Sequence, residues 1–219
     1  MASFPRAEML AQALRTPLIP VFYHVEAAQA KQVLSSCYEG GVRVYEYTNR
    51  GPHALAIFTE LQRFVEAEYP DLLLGAGTIF HAADAEKFIT AGADFIVSPV
   101  ISPAVAAVCQ RHNLAWLPGA FTVNEIFQAM EMGADIVKIF PASLITPAYI
   151  NTLRGPLPDV PLLVSGGVQP EPAALAAWFR AGSSCVSIGS QLLPPAGAEG
   201  LAAHVAELLR GIGEAGVAQ

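Results

Sequence analysis

The stretch VNEIFQAMEMGADIVKIF, residues 123–140, contains one complete structural unit of this chain. Val123–Met132 reads as a helix and stops at Gly133, because glycine is the residue expected just after the last helical turn. The run that follows, Ile136–Phe140, is short, apolar and rich in β-branched residues, which is typical of a buried strand. The stretch therefore predicts a helix that leads directly into a strand.

This unit repeats along the chain, with a β-rich run about every 25 residues. Glycines also end the other clearly marked helices, and a short N-terminal helix precedes the first strand. The predicted helices are Met9–Leu14, Ala27–Glu39, Ala82–Ala91, Val123–Met132 and Ala173–Ala181. The predicted strands are Leu18–Phe22, Val42–Tyr47, Leu72–Ala76, Phe95–Ser98, Ala115–Pro118, Ile136–Phe140, Pro161–Ser165 and Cys185–Gly189.

Eight strand–helix units imply parallel strands joined by right-handed crossovers. A closed (β/α)₈ TIM barrel and an open doubly wound sheet both fit, and the roughly equal units with short connections favour the barrel. No Gly-x-Gly-x-x-Gly opens the first helix, so a dinucleotide-binding fold has no support. We expect an α/β fold in which residues 1–219 form a single barrel domain with a short N-terminal helix.

Composition restricts the class of protein. The chain of 219 residues is 53% hydrophobic and only 14% charged, so it must bury a large core. A net charge of −7 without basic runs argues against nucleic acid as a partner, and no apolar run is long enough to span a membrane. The three cysteines lie far apart and predict buried thiols in a reducing cytoplasm. We also see no signal peptide.

Lys138 is the first candidate for chemistry. Side chains alternate along a strand, so Ile136, Lys138 and Phe140 share one face while Val137 and Ile139 share the other. The aliphatic pair suits the helix-facing side, which directs Lys138 into the barrel. A desolvated lysine tends to lose its proton and can form a Schiff base with a ketone. The alternative is a structural lysine paired with a buried carboxylate.

Glu46 is the natural partner for that lysine. In the second strand Val42, Val44, Glu46 and Thr48 share a face, so we expect Glu46 to point inward with the valines. An interior carboxylate near an interior lysine is either its ion-pair partner or a general acid/base. Arg50, just beyond the strand, could hold a substrate carboxylate through two parallel hydrogen bonds, or remain a solvated loop charge.

Other strand ends are rich in glycine. Ser165-Gly166-Gly167 and Gly189-Ser190 follow the seventh and eighth strands, where this fold usually binds phosphate through backbone N–H groups. Gly75-Ala76-Gly77-Thr78 would let backbone approach a ligand. The five histidines form no metal-binding spacing. His24 follows the first strand and could touch the site, but we expect it in a surface or capping role. Asp94 and Asp135 precede strands and should serve stability at the opposite end of the barrel.

Together these strand ends resemble the bacterial KDPG/KHG aldolase family (2-dehydro-3-deoxy-phosphogluconate and 4-hydroxy-2-oxoglutarate aldolases). The resemblance covers most of the chain and rests on these motifs: GGVRVYEYTNR (40–50), GAGT (75–78), SP (98–99), PG (118–119), VKIFPA (137–142) and SGG (165–167). It implies a homotrimeric barrel that needs no metal or other cofactor. Catalysis would fall to Lys138, as Schiff-base nucleophile, and Glu46, as acid/base. The implied substrate-binding residues are Arg50, Thr78, Pro99, Phe140, Ser165, Gly166, Gly167, Gly189 and Ser190.

The resemblance implies cleavage of 2-keto-3-deoxy-6-phosphogluconate to pyruvate and glyceraldehyde 3-phosphate, and of 4-hydroxy-2-oxoglutarate to pyruvate and glyoxylate. Three departures concern the substrate's surroundings: Ser165 where the family often has threonine, Asn49 and Gly51 beside Arg50, and Gln191 after Ser190. They leave open a related acid such as the phosphogalactonate. A non-aldolase phosphate-binding barrel, or a non-catalytic sugar-phosphate binding protein, would not need an interior lysine opposite an interior glutamate.

Overall fold

The computed structural model describes residues 4–195 and 197–214; the rest of the expected 1–219 domain lies outside the described residues. Eight parallel strands close into a barrel in the order in which they occur in the chain, and β8 pairs with β1. The strands are β1 (Leu18–Phe22), β2 (Val44–Thr48), β3 (Leu73–Gly77), β4 (Phe95–Ser98), β5 (Ala115–Ala120), β6 (Val137–Ile139), β7 (Leu162–Ser165) and β8 (Cys185–Ile188). The (β/α)₈ TIM barrel is therefore confirmed.

Helices surround the barrel, and the sequence explains where several of them begin. Helix α6 starts at a capping box in which the Thr122 hydroxyl accepts from the Glu125 backbone N–H and the Glu125 carboxylate accepts from the Thr122 backbone N–H. Helix α5 starts with Ser102 as its N-cap and Pro103 in its first turn. The helices in the described ranges are α1 (Arg6–Arg15), α2 (Ala27–Glu39), α3 (Ala54–Glu68), α4 (Ala82–Thr90), α5 (Pro103–Arg111), α6 (Val123–Glu131), α7 (Pro147–Leu153), α8 (Pro172–Arg180) and α9 (Leu201–Glu214).

The predicted boundaries are accurate for β1, α2 and β4, and for the other predicted elements they differ by one to three residues at an end. β2 begins at Val44 because the Val42 amide donates to the carbonyl of Cys37 at the end of α2. Val42 accordingly packs on the helix side, so the expectation that it points inward with Val44 was wrong. β5 is longer than predicted because Gly119 and Ala120 continue the pairing with β6.

Two apolar cores result from the alternation along the strands. Outward residues such as Val137 and Ile139 pack against the helices. Inward residues form a separate core inside the barrel: Ile19, Val44, Leu73, Phe95, Val97, Ala115, Leu117, Ile136, Leu163 and Cys185. The predicted faces of β6 are thus confirmed. The interior core fills the barrel from its N-terminal end and leaves the C-terminal end for polar side chains.

The N-terminal helix closes the opposite end of the barrel. Met9 and Ala13 of α1 belong to the interior core and are fully buried. Arg6 anchors the helix through a 2.7 Å ion pair with Asp135, whose carboxylate also accepts from the Trp116 backbone N–H. Asp94 similarly accepts from the Leu74 backbone N–H. Both aspartates therefore hold backbone at this end, as expected. No helix of the described chain is long and apolar enough to cross a membrane.

Candidate active site

A cavity of about 730 Å³ opens at the C-terminal ends of the strands. Every residue that the sequence predicted to react or bind substrate lines this cavity: Glu46, Arg50, Thr78, Pro99, Lys138, Phe140, Ser165, Gly166, Gly167, Gly189 and Ser190. They come from β2, β3, β4, β6, β7 and β8 or from the loops after them. Only closure of the barrel brings side chains so distant in the chain into one place.

Lys138 lies at the floor of this cavity. On β6 it is in register with Gly119 of β5 and Leu163 of β7, directly above the inward Ile136. The residue is only 7% exposed, and its Nζ lies 5.6 Å from the centre of the Phe140 ring. Gly119 contributes no side chain because a Cβ there would lie 2.3 Å from the Pro99 carbonyl oxygen. An amine in this position is shielded from bulk water and accessible to a ligand in the cavity.

Glu46 faces Lys138 across the barrel interior. Its Oε2 lies 3.6 Å from Lys138 Nζ, and the residue is 1% exposed. Oε2 has no hydrogen-bond partner among the described residues. The carboxylate has room because β3 carries glycine at the facing position: a Cβ on Gly77 would lie 1.8 Å from Glu46 Oε1. Of the two β3 glycines that were predicted to let backbone approach a ligand, Gly77 therefore makes space for this side chain, and Gly75 makes space for the Phe95 ring.

Arg50 and Thr78 lie at the rim on the same side as Glu46. Arg50 is exposed and forms no salt bridge within residues 4–195 and 197–214, so its guanidinium is available to a carboxylate ligand. Thr78 has a φ of 62°, in the left-handed region that non-glycine residues rarely occupy. Such backbone strain clusters at functional sites. These two residues therefore present a guanidinium and a hydroxyl group to one side of the cavity.

The glycine loops lie on the other side of the cavity. Gly166 and Gly167 have φ values of 87° and 100°, and a Cβ on either would collide, at 2.8 Å with the Phe140 ring and at 2.7 Å with Ser143 Cβ. The Gly166 carbonyl accepts from the Ser143 backbone N–H at 2.7 Å, which holds the loop in place. After β8, Ser190 starts a single 3₁₀ turn. Both loops thus present backbone to the cavity at close range.

Other residues line the cavity that the sequence patterns did not indicate, among them Tyr23 and Ser187. His24 lines the cavity as well, and it does not cap α2, whose N-cap is Glu26, so the expected capping role was wrong and the alternative of a place beside the site holds. Burial lowers its pKa. Ser187 could have been found from alternation, because it shares the inward face of β8 with Cys185. Gly51, one of the departures from the family pattern, has a φ of 93°, in the left-handed region that favours glycine, and a Cβ there would lie 2.6 Å from the Tyr23 hydroxyl oxygen.

The described residues contain no group of three or more histidine, cysteine, aspartate or glutamate side chains placed to hold a metal ion. The charged groups inside the cavity are instead the Lys138–Glu46 pair. A lysine–glutamate pair at the C-terminal end of the strands of a (β/α)₈ barrel is suited to Schiff-base chemistry on a ketone, the chemistry of a class I aldolase.

The comparisons with known proteins identify the family. The profile of the KDPG and KHG aldolase family matches residues 10–204, and the chain belongs to this family. It is 34% identical over 156 residues to 2-dehydro-3-deoxy-phosphogluconate aldolase of Treponema pallidum (strain Nichols), covering 71% of this chain and 72% of that protein. It is 30% identical over 179 residues to 2-dehydro-3-deoxy-6-phosphogalactonate aldolase of Escherichia coli (strain K12), covering 81% and 85%.

Solved structures agree with the sequence relatives. A native KDPGal structure superposes with a TM-score of 0.82 at 28% identity, covering 91% of this chain and 95% of that chain. KDPG aldolase from Legionella pneumophila, with pyruvate captured as a covalent carbinolamine intermediate, superposes with a TM-score of 0.77 at 26% identity, covering 93% and 97%. The fold and the class of enzyme are therefore those expected from the sequence.

Proposed function

We propose that this chain is a class I aldolase that cleaves 2-keto-3-deoxy-6-phosphogluconate to pyruvate and glyceraldehyde 3-phosphate, with Lys138 as the Schiff-base nucleophile. The observation that carries the proposal is the 3.6 Å approach of Lys138 Nζ to Glu46 Oε2 at the floor of an open cavity. A lysine that served only structure would be sealed inside the core with its carboxylate partner. Here both groups line the space that a ligand would fill.

The reaction starts when the neutral amine of Lys138 attacks the C2 ketone to give a carbinolamine. Loss of water gives an iminium, and Glu46 transfers the protons that this dehydration requires. Glu46 then takes the proton of the C4 hydroxyl. The C3–C4 bond breaks, its electron pair enters the iminium to form an enamine, and the C4 oxygen becomes the carbonyl of the departing aldehyde. Protonation of the enamine at C3 and hydrolysis of the resulting iminium release pyruvate and restore the amine.

The substrate spans the cavity from β2 and β3 to β7 and β8. Arg50 and Thr78 bind the C1 carboxylate on the Glu46 side, close to the carbon that Lys138 attacks. Pro99 and Phe140 form the wall beside the pyruvyl carbons. The phosphate at the far end is held by Gly166, Gly167, Gly189 and Ser190, with the Ser165 hydroxyl in between. The backbone N–H groups of such loops and the Ser190 hydroxyl are suited to a phosphate dianion.

A second candidate substrate is 2-keto-3-deoxy-6-phosphogalactonate. The identity to the Escherichia coli phosphogalactonate aldolase, over 81% of this chain, favours it. The relative named KHG/KDPG aldolase, which is 28% identical over 183 residues, similarly supports 4-hydroxy-2-oxoglutarate as a further substrate. Values of kcat/KM for the three acids decide among them.

The test of the proposal is reduction with borohydride in the presence of pyruvate. A reduced pyruvyl group should appear on Lys138 when peptides are analysed by mass spectrometry. Lys138→Ala should abolish both trapping and turnover, since no other lysine among the described residues lines the cavity. Lys31→Ala is the matched control, because this lysine pairs with Glu60 on the surface and should leave both unchanged. Trapping or most of the turnover surviving in Lys138→Ala would refute the mechanism.

We also infer that the chain assembles as a homotrimer in the cytoplasm. Exposed apolar side chains support assembly. Five of them lie in the segments that follow β3, β4, β5 and β6: Phe80, Val100, Val123, Phe127 and Leu144. The buried free thiols of Cys37, Cys109 and Cys185 agree with a reducing compartment. Light scattering at micromolar concentration should give three times the chain mass. A monomer would refute the assembly.

A further inference from the structure

Two buried hydroxyl groups face each other inside the cavity. Ser165 at the end of β7 and Ser187 on β8 are in register, and their Oγ atoms lie 2.9 Å apart. They are only 5% and 2% exposed, and both line the cavity. Two residues earlier on each strand, and so nearer the N-terminal end of the barrel, lies the apolar pair Leu163 and Cys185. The barrel thus changes from apolar to polar at the level of this serine pair.

The mutual hydrogen bond leaves this pair with unused bonding capacity. Two hydroxyls carry two hydrogens and four lone pairs, and one bond between them uses a single hydrogen and a single lone pair. Neither hydroxyl has a second partner within the described ranges 4–195 and 197–214. A buried polar group with spare capacity is more costly than a packed apolar one unless a ligand completes its bonding. The serine pair is therefore suited to a ligand hydroxyl.

The position of the pair indicates which part of the substrate it meets. Lys138 is in register with Leu163, so Ser165 lies one inward position beyond the lysine towards the cavity mouth. Gly166 and Gly167 follow immediately. The pair consequently lies between the carbon that Lys138 attacks and the loops assigned to phosphate. Glu46 on β2 takes the C4 hydroxyl, which leaves the C5 hydroxyl for the serine pair.

We propose, on the basis of the aldolase function above, that Ser187 is a specificity-determining residue that holds the Ser165 hydroxyl in place, and that the two hydroxyls together bind the C5 hydroxyl of the substrate. In the reverse direction this is the hydroxyl next to the aldehyde carbon of the acceptor. Ser187 is a positioning residue, since it acts partly through Ser165. The enzyme with both serines therefore prefers aldehydes that carry a hydroxyl next to the aldehyde carbon.

The test compares two acceptors in the addition of pyruvate: glyceraldehyde 3-phosphate and 3-oxopropyl phosphate, which lacks only the hydroxyl. The wild type should prefer the hydroxylated acceptor by about tenfold in kcat/KM, as expected for a buried neutral hydrogen bond. Ser187→Ala and Ser165→Ala should each reduce this ratio to about one by slowing only the hydroxylated acceptor. In the double variant the preference for the hydroxylated acceptor should fall no further than in either single variant, because the two hydroxyls act as a unit.

A second measurement separates this role from simple damage to the fold. Exchange of the pyruvate methyl protons with deuterium, followed by NMR, requires the Schiff base and the enamine but no aldehyde. It should be unchanged in Ser187→Ala. The control is Ser98→Ala, since Ser98 is also a buried serine but contacts Trp116 Nε1 outside the cavity. This variant should keep the acceptor ratio of the wild type.

Each contrary result has a distinct meaning. A wild type that does not exchange the methyl protons refutes the aldolase function itself. A wild type that exchanges but accepts both aldehydes equally overturns only the role of the serine pair. An Ser187→Ala variant whose exchange rate falls in parallel with its addition rate, at an unchanged acceptor ratio, assigns Ser187 a purely structural role.

Discussion

Substituting Gly77 tests whether the position of Glu46 controls the chemistry. An alanine Cβ at residue 77 would lie 1.8 Å from Glu46 Oε1, 2.5 Å from Cδ and 2.7 Å from Cγ. These distances are far shorter than van der Waals contact, so the carboxylate must move by more than about 1 Å. Its present separation of 3.6 Å from Lys138 Nζ would then change. A displacement of this size can cost roughly 100-fold in rate. We therefore expect kcat of Gly77→Ala to fall by about that factor.

The assay is steady-state pyruvate release coupled to NADH oxidation by lactate dehydrogenase, together with urea unfolding. Overpacking should lower the free energy of unfolding by about 1–3 kcal/mol, so rates must be measured where the variant is folded. Combining Glu46→Asp with Gly77→Ala should restore part of the stability that Gly77→Ala loses, because the shorter side chain removes the collision. It should not restore kcat.

The matched control is Gly75→Ala on the same strand and face. A Cβ there would lie 2.2 Å from the Phe95 ring, which supplies its three nearest atoms, so the collision is with the interior core. This variant should lose stability and, where folded, keep kcat close to that of the wild type. A Gly77→Ala enzyme with kcat within about threefold of the wild type would refute the argument that the Glu46 position limits the reaction.

Three further predictions follow from particular groups. Glu46→Gln should lower kcat by about 10²- to 10⁴-fold with KM little changed, as expected for a general acid/base; a loss in KM alone would make Glu46 a binding residue. Ser190→Ala should lower kcat/KM for the phosphorylated acid by about tenfold to 100-fold and spare 4-hydroxy-2-oxoglutarate; equal losses would contradict a phosphate site. Burial raises the pKa of Cys109 and of Cys185 to about 12, so at pH 8 both thiols should react with a thiol reagent only after unfolding in urea, and prompt labelling of the native enzyme would contradict this.

Local patterns in the sequence were sufficient for the fold and for the direction of the key side chains. Glycines predicted the helix ends correctly, and Gly133 has the positive φ of 80° that this position requires. Strict alternation along β6 placed Ile136 in the interior core and Val137 against the helices, which in turn placed Lys138 inside the barrel. These features depend on residues close together in the chain, so their physical cause can be seen in a short stretch.

Boundaries were less predictable where a distant partner sets them. The start of β2 depends on the hydrogen bond from the Val42 amide to the end of α2, and the end of β5 depends on pairing with β6. Propensity does not reveal such partners. The family resemblance supplied the residues expected at the site, but it did not supply their mutual distances.

What the sequence by itself determined is the order of strands and helices, the inward faces of the strands and the set of polar side chains at the strand ends. Only the tertiary structure decided that Glu46 lies 3.6 Å from Lys138, that Gly77 provides the space for that carboxylate, and that Ser165 meets Ser187. The physical reason is that each of these contacts joins residues of two different strands. Their distances are set by the register between strands and by the packing of side chains inside the closed barrel, which no single stretch of sequence contains.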